Sequence, residues 1–243
     1  MDGSLNYLDS VKIRGYFDSV KIIPETIGFG FMPALPNVPY FRTLPMTTAH
    51  RYHHGDLHTA LLQEAGRLLM EQGIEGLSLR KLAERAGVSR TAPYHHFKDK
   101  NALLCALATQ GFESLDELIR RQFKGATLRE QMTALVREYL SFSVDQPERY
   151  ELMFGRTLWK AGAPTPELKS VAYRSFRHYT ERLARMLDGR LPKAGDPLRI
   201  AQASWATVHG LCRLLIDGIY VNQQDMEAVC EQSVALILSA LDN

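Results

Sequence analysis

The stretch from Ser78 to Lys98 constrains the fold more than any other part of the chain. It reads SLRKLAERAGVSRTAPYHHFK, and its first half carries apolar residues at helical spacing. Ser78 can cap a helix there, because its hydroxyl can accept a hydrogen bond from a free backbone N–H of the first turn. Gly87 can end that helix, because glycine reaches a positive φ without steric cost. The stretch therefore predicts a short helix followed by a tight turn.

A second short helix is predicted after the turn, with Ser89 as its cap. Most of its residues are polar, and only Ala92, Pro93 and Phe97 are suited to face the protein interior. Pro93 would lie in the first turn, where its missing N–H forfeits at most one intrahelical hydrogen bond. Two such helices are typical of a helix-turn-helix, whose second helix enters the major groove of DNA. An ordinary helical hairpin is the alternative for this stretch taken alone.

The sequence on both sides favours the first interpretation through a resemblance. Residues Arg51–Leu107 resemble the DNA-binding domain of the TetR family of bacterial transcription regulators, although Pro93 stands where many members carry leucine or isoleucine. The segments that match are YHHGDL (Tyr52–Leu57), LSLRKLAERAGVSR (Leu77–Arg90) and PYHHFKDKNALL (Pro93–Leu104). The resemblance implies a three-helix helix-turn-helix domain that binds double-stranded DNA.

Side-chain chemistry divides the predicted DNA contacts into two groups. Arg90 and Thr91 are the candidates for base edges, since arginine can donate twice to guanine and the threonine methyl can touch a thymine methyl. Tyr94, His95 and Lys98 are better suited to phosphates, and the first two match phosphate-contacting positions of the family. The other candidates for DNA contact are Arg51, Ser78, Arg80 and Ser89.

From Asn101 onward, apolar residues recur at spacings of three and four, and no β pattern of any length appears. The sequence therefore predicts an all-α protein, in which a helical bundle for ligand binding and dimerisation follows the helix-turn-helix domain. The predicted helices are 101–123, Leu128–Val144, a short one from Pro147, Pro166–Leu187, Pro197–Tyr220 and a last one from Asp225 or Met226. The predicted divisions of the chain are 1–45, 46–100 and 101–243.

Residues 1–45 differ in character from the rest of the chain. They hold five of the eleven prolines, and no helical or strand period persists in them. We expect a largely disordered extension. Met46 opens MTTAHRYHHGDL, which resembles a short N-terminal arm of the family, so our hypothesis is that Met46 is the true start. The apolar run Ile27–Leu35 is too short to span a membrane and no secretory signal is recognisable, so a cytoplasmic protein is expected.

Aromatic residues are dense between 142 and 179. For any one of them a packed core is the ordinary interpretation, but as a group they are also typical of an apolar small-molecule pocket between helices. The segment Trp205–Gly210 resembles the W-x-x-x-H-G signature of one C-terminal domain type in the TetR family, and we favour a core role for its His209. The candidate ligand-binding residues are Phe142, Tyr150, Phe154, Trp159, Phe176, His178, Tyr179 and His209.

The last two predicted helices carry a face of small and apolar residues. Small side chains there would let the backbone of a second copy approach closely, which predicts a homodimer built from two helices of each chain. The small residues of this face are Ala201, Ser204, Ala206 and Gly210. Paired recognition elements would then read a palindromic operator.

Composition excludes several other classes of protein. The formal net charge is only +2, so no basic tail binds nucleic acid by charge alone. No zinc-ligand spacing, phosphate loop or nucleophile–base pairing is recognisable, so no metal, cofactor or enzymatic activity is expected. The function predicted is a repressor released by a small apolar effector, with the helix 101–123 linking both halves. An activator or a ligand-free DNA-binding protein is the alternative, and an enzyme acting on a small apolar substrate is a distant third.

Overall fold

The computed structural model describes residues 54–121, 127–160, 162–187, 196–219 and 221–239. These residues are helices and connections, and no strand occurs among them. The helices are α1 (His54–Gly76), α2 (Leu79–Arg85), α3 (Lys100–Arg120), α4 (Leu128–Asp145), α5 (Pro147–Phe154), α6 (Arg156–Trp159), α7 (Pro166–Met186), α8 (Pro197–Asp217) and α9 (Met226–Ser239). Short 3-10 turns cover Ala92–His95 and Gln223–Asp225. The predicted all-α fold is confirmed, whereas residues 1–45 and Met46 lie outside the described ranges.

The start of the helix-turn-helix forms as the sequence predicts. Ser78 caps α2 by accepting a hydrogen bond from Lys81 N at 3.2 Å. Gly87 has a φ of 65°, a left-handed conformation in which a side chain would be strained. Leu82 and Ala83 of α2 are buried against the leucines of α1.

The second helix of this motif is shorter than predicted and does not begin at Ser89. Only Ala92–His95 is helical, as a single 3-10 turn, and the Ser89 hydroxyl lies 3.2 Å from the Thr91 hydroxyl rather than on a backbone N–H. Pro93 is the physical reason. It has no N–H to offer the Ser89 carbonyl, which accepts from Ala92 N at 3.0 Å instead. A residue before proline is also disfavoured in the α region.

The bundle is organised around α3, which packs most extensively against α7. Helix α5 lies against both α1 and α3, and α4 packs against α8 and α9. Buried residues from α1 through α9 form one continuous hydrophobic core, which therefore joins the helix-turn-helix to the bundle. The predicted division of this unit at residues 100 and 101 stays a prediction.

Most helix ends of the bundle agree with the sequence to within a residue or two, with three corrections. Helix α3 ends at Arg120 rather than at residue 123, since Arg121 takes an extended conformation. Helix α8 ends at Asp217 rather than Tyr220, because Gly218 takes a φ of 64° and its N–H bonds back to the Leu214 carbonyl. Residues Arg156–Trp159 form one further helical turn, so the predicted loop begins after Trp159. Within the described residues, no helix is long and apolar enough to cross a membrane.

Candidate DNA interface and aromatic cluster

The predicted DNA-contacting side chains around the 3-10 turn are exposed. Arg90, Thr91, His95 and Lys98 lie on the surface, and the Tyr94 ring is 55% exposed. The side chains of Arg90, Tyr94, His95 and Lys98 make no hydrogen bond or ion pair with any other described residue. An exposed aromatic ring among uncommitted donors is the arrangement that contact with phosphates and base edges requires.

Buried side chains hold this turn against the rest of the domain. Pro93 is buried, and Phe97 is only 3% exposed. The Phe97 ring centroid lies 5.2 Å from that of His58 on α1, and His96 lies 5.7 Å from the same histidine. The packing of Pro93 and Phe97 inward is what turns Tyr94 and His95 outward, since they lie between these anchors in the sequence.

The remaining predicted DNA contacts differ in what the structure places around them. Arg80 and Ser89 are exposed, and the exposed Ser78 is already engaged as the cap of α2 through its acceptor. Arg51 lies outside the described residues. All of these assignments to DNA stay predictions.

One arginine of the motif forms ion pairs within the protein. Arg85 on α2 bonds to Glu64 at 2.9 Å and to Glu71 at 2.9 and 3.1 Å, both on α1. The hydrogen bond from Arg85 lowers the pKa of Glu71 below its ordinary value. These ion pairs tie α2 to α1, so Arg85 has a structural role that the sequence did not indicate.

A connected aromatic cluster lies in the bundle. It comprises Phe112, Tyr139, Phe142, Tyr150, Phe154, Trp159, Phe176, Tyr179, Trp205 and His209, each with its ring within 6.5 Å of another member. Its centre is the contact between α5 and α8, where Phe154 lies 4.9 Å from His209 and 5.7 Å from Trp205. Seven of the eight candidate ligand-binding residues are therefore brought together, and their contact with a ligand stays a prediction.

Polar atoms inside the aromatic cluster are partnered within the protein. The Tyr150 hydroxyl and His209 Nδ1 are 2.6 Å apart, and Trp205 Nε1 donates to the Tyr139 hydroxyl at 3.1 Å. Burial lowers the pKa of His209 to about 4, so its imidazole is neutral at pH 7. The His209 ring also stacks on Trp205 at 4.9 Å. This environment favours the core role expected for His209.

His178 is the candidate that the structure separates from the others. Its Nδ1 lies 2.6 Å from a carboxylate oxygen of Asp116, a buried residue of α3. Arg174 approaches the other oxygen of that carboxylate at 3.9 Å. The pair joins α7 to α3. Successive residues of a helix point in different directions, so the neighbouring Tyr179 turns toward the cluster while His178 turns toward α3.

Sequence reasoning missed three members of the aromatic cluster as site residues: Trp205, which was noted only as part of the W-x-x-x-H-G segment, and Phe112 and Tyr139. Phe112 connects Phe154 to Trp159 at ring distances of 5.1 and 6.3 Å, and Tyr139 lies 6.3 Å from Tyr150. Both belong to ordinary apolar stripes of α3 and α4, so their spacing gave no signal that distinguished them from core residues.

The predicted dimer face is only partly exposed. Ala201 and Ser204 are buried within the protomer, and Ser204 bonds to the Tyr179 hydroxyl at 2.9 Å, so these two were wrongly assigned to a partner-facing surface. Ala206 and Gly210 are exposed, and Leu236 on α9 is 59% exposed. A face of α8 and α9 with small residues and an uncovered leucine therefore remains.

Comparison with known proteins adds independent evidence. Residues 61–107 match the family model "Bacterial regulatory proteins, tetR family", and residues 132–237 match "Tetracyclin repressor-like, C-terminal domain". The transcriptional regulator BetI of Rhizobium meliloti is 31% identical over 185 residues, which are 73% of this chain and 83% of BetI. The chain belongs to the TetR family of transcriptional regulators. The predicted resemblance is confirmed, and the matched relatives are regulators rather than enzymes.

Other similar proteins differ in how much of the chain they match. The class C tetracycline repressor of Escherichia coli is 55% identical over 49 residues, which are 20% of this chain and 22% of that repressor. A Rhodococcus sp. RHA1 protein of unknown function superposes with a TM-score of 0.70 at 31% identity, over 80% of this chain and 100% of that one. The regulator PfmR from Thermus thermophilus shares the fold, with a TM-score of 0.55, 22% identity and coverage of 74% and 97%.

Proposed function

We propose that this TetR-family member is a homodimeric repressor, acting in the cytoplasm, that binds a palindromic operator and is released by a small apolar ligand. The observation that carries the proposal is the exposed surface around the 3-10 turn, where Arg90, Thr91 and Tyr94 are uncovered above the buried Pro93 and Phe97. Matched relatives named as repressors, including AcnR of Corynebacterium glutamicum, support repression.

Dimerisation in this proposal uses the exposed face of α8 and α9. One 3-10 turn presents too few side chains to give both affinity and specificity, so two copies have to act on two half-sites. Ala206 and Gly210 allow close approach of a second backbone, and burial of Leu236 would stabilise the contact. Sedimentation equilibrium is the direct measurement. A monomer at micromolar concentration would contradict this part of the proposal.

The proposed ligand site is the aromatic cluster between α5 and α8. Large apolar rings favour an apolar or aromatic ligand, and the Tyr150 hydroxyl and His209 imidazole are neutral groups able to meet one polar atom of it. A ligand that prefers one arrangement of the helices lowers operator affinity, and the operator lowers ligand affinity by the same factor.

The test has two stages. Selection of bound duplexes from a random pool is expected to yield a sequence with two inverted half-sites about one helical turn, or a multiple of it, apart. A panel of aromatic and aliphatic compounds is then screened for release of that duplex. Selection without an inverted repeat would argue against the dimeric operator, whereas release by no compound would favour the ligand-free alternative.

A further inference from the structure

Arg149 lies where α5 crosses both α1 and α3. A Cβ atom placed on Gly66 of α1 would lie 3.1 Å from Arg149 Nη2, and one placed on Gly111 of α3 would lie 3.2 Å from Arg149 Cγ. The stem of this side chain therefore lies against α3 while its guanidinium lies against the backbone of α1. Arg149 is a contact that α5 shares with both helices.

The guanidinium of Arg149 has no evident role in stability. Its Nε is buried, and the side chain makes no hydrogen bond or ion pair with any other described residue. Burial lowers the pKa of Arg149 below its ordinary value. The side chain is partly buried, and its charge has no partner among the described residues to offset the lost solvation, so an apolar side chain of similar length would pack here at least as favourably.

The opposite side of α5 belongs to the aromatic cluster. Tyr150 bonds to His209, Phe154 contacts Trp205, and Glu151 is ion-paired with Arg213, so three side chains of α5 join it to α8. A displacement of α8 against the cluster therefore has to move α5 or break these contacts.

Helix α1 in turn carries the DNA-binding surface. Arg85 ties α2 to α1 through Glu64 and Glu71, and the 3-10 turn rests on α1 through the ring contact of Phe97 with His58. A rotation of α1 therefore reorients the exposed residues around Tyr94.

We propose that Arg149 is a positioning residue that passes a displacement of α5 to α1, and so couples the aromatic cluster to the DNA-binding surface. This inference rests on the proposed function, because it concerns how the two sites communicate. Because no directional bond fixes the guanidinium, α1 can shift against it without breaking a hydrogen bond. The contact is steric, so a displacement of α5 pushes α1, and no hydrogen bond from Arg149 to another described residue holds the two helices in a single arrangement.

The test is a double-mutant cycle on DNA affinity, with the duplex selected by the unmodified protein as the probe. Trp205→Phe perturbs the cluster from α8, and Arg149→Met keeps the stem but removes the charge. In the wild-type background, W205F is expected to change the Kd for the duplex by roughly threefold to thirtyfold. In the R149M background, the same substitution is expected to change it less than about twofold.

Two controls distinguish positioning from a purely structural role. Arg156→Met, at an exposed arginine of α6, is expected to leave the W205F effect unchanged, and R149K is expected to retain it. R149M is also expected to leave the midpoint of thermal unfolding unchanged or to raise it slightly, because it removes a partly buried charge that has no partner among the described residues.

An equal W205F effect with and without Arg149 overturns the inference, and so does a W205F effect absent from every background. A lowered midpoint for R149M together with additive Kd changes would assign Arg149 an ordinary packing role. If the unmodified protein selects no duplex, the proposed function fails, which is a different outcome from an additive cycle.

Discussion

The surface around the 3-10 turn and the aromatic cluster contain similar side chains that differ in exposure and in hydrogen bonding. Both contain tyrosine and histidine. Tyr94 and His95 are exposed and have no hydrogen-bond partner among the described residues, whereas Tyr150 and His209 are hydrogen-bonded to each other at 2.6 Å. The first region leaves its hydrogen-bond donors available to another molecule. The second satisfies its own polar atoms, so a ligand that enters it has to replace an internal hydrogen bond and must supply an equivalent one.

The difference shows which contacts hold each region in its conformation. The surface turn is ordered from below, by the burial of Pro93 and Phe97 in the helix-turn-helix. The aromatic cluster is ordered from within, by ring contacts and hydrogen bonds among its members. In the first region, substitutions of buried residues should lower stability, whereas substitutions of exposed residues should lower DNA affinity alone. In the second region, a substitution should alter how stability depends on pH.

The largest expected effect comes from the anchor of the turn. Phe97→Ala should lower the free energy of unfolding by about 3–5 kcal/mol, because it empties a fully packed aromatic site. Urea unfolding followed by circular dichroism gives the value. Tyr94→Ala is the matched control, since its exposed ring lies three residues away, and it should change stability by no more than about 0.5 kcal/mol. If both variants lose the same free energy of unfolding, Phe97 does not anchor the turn more strongly than the exposed Tyr94 ring does.

The next effect tests the cluster through pH. Burial lowers the pKa of His209 from 6.5 to about 4. Between these values the unfolded chain binds a proton that the folded protein does not, so stability falls as the pH decreases through this window. The expected loss is on the order of 2–3 kcal/mol, obtained from urea unfolding at pH 7 and pH 4.5.

Replacement of the histidine sharpens this prediction. His209→Gln should flatten the dependence of stability on pH in that window, because the titrating group is gone. His95→Gln, at the exposed histidine of the turn, should leave the dependence as it is in the wild type. A pH dependence that persists unchanged in H209Q would assign it to other groups.

These two regions also differ in how far the sequence predicts them. The cap at Ser78, the left-handed Gly87 and the inward anchors Pro93 and Phe97 follow from local stereochemistry, and the structure confirms them. The helix predicted from Ser89 is replaced by a single 3-10 turn, because Pro93 lacks the N–H that an α-helical hydrogen bond to the Ser89 carbonyl requires.

In the bundle, helix positions were predictable but neighbours were not. The spacing of apolar residues locates α7 and α8, yet it does not tell which residue of a helix meets which residue of another. His178 and Tyr179 are adjacent in the sequence, but one turns to Asp116 and the other to Ser204. Ala201 and Ser204 were assigned to a dimer face for the same reason, since burial within a protomer depends on long-range packing.

A third prediction divides the exposed surface itself. Arg90→Ala should weaken binding of the selected duplex by about 1–3 kcal/mol and relax the base preference at one position of each half-site. Lys98→Ala should weaken all sequences alike and reduce the slope of log Kd against log salt concentration by about 1 for each phosphate that Lys98 neutralises. Titrations at several salt concentrations measure both. A change of sequence preference in K98A would reverse the assignment of the two residues.

The smallest expected effect concerns Ser78, which combines an internal hydrogen bond with an exposed position. It caps α2 through its acceptor and is exposed toward the predicted DNA surface. Ser78→Ala should lower stability by about 1 kcal/mol, because the capping bond to Lys81 N can no longer form. Ser78→Asp should restore most of that stability, since aspartate is an equally good cap, yet it should bind the duplex more weakly than S78A because its charge repels phosphates. If S78D instead binds as tightly as the wild type, Ser78 acts in the fold alone and does not approach the DNA backbone.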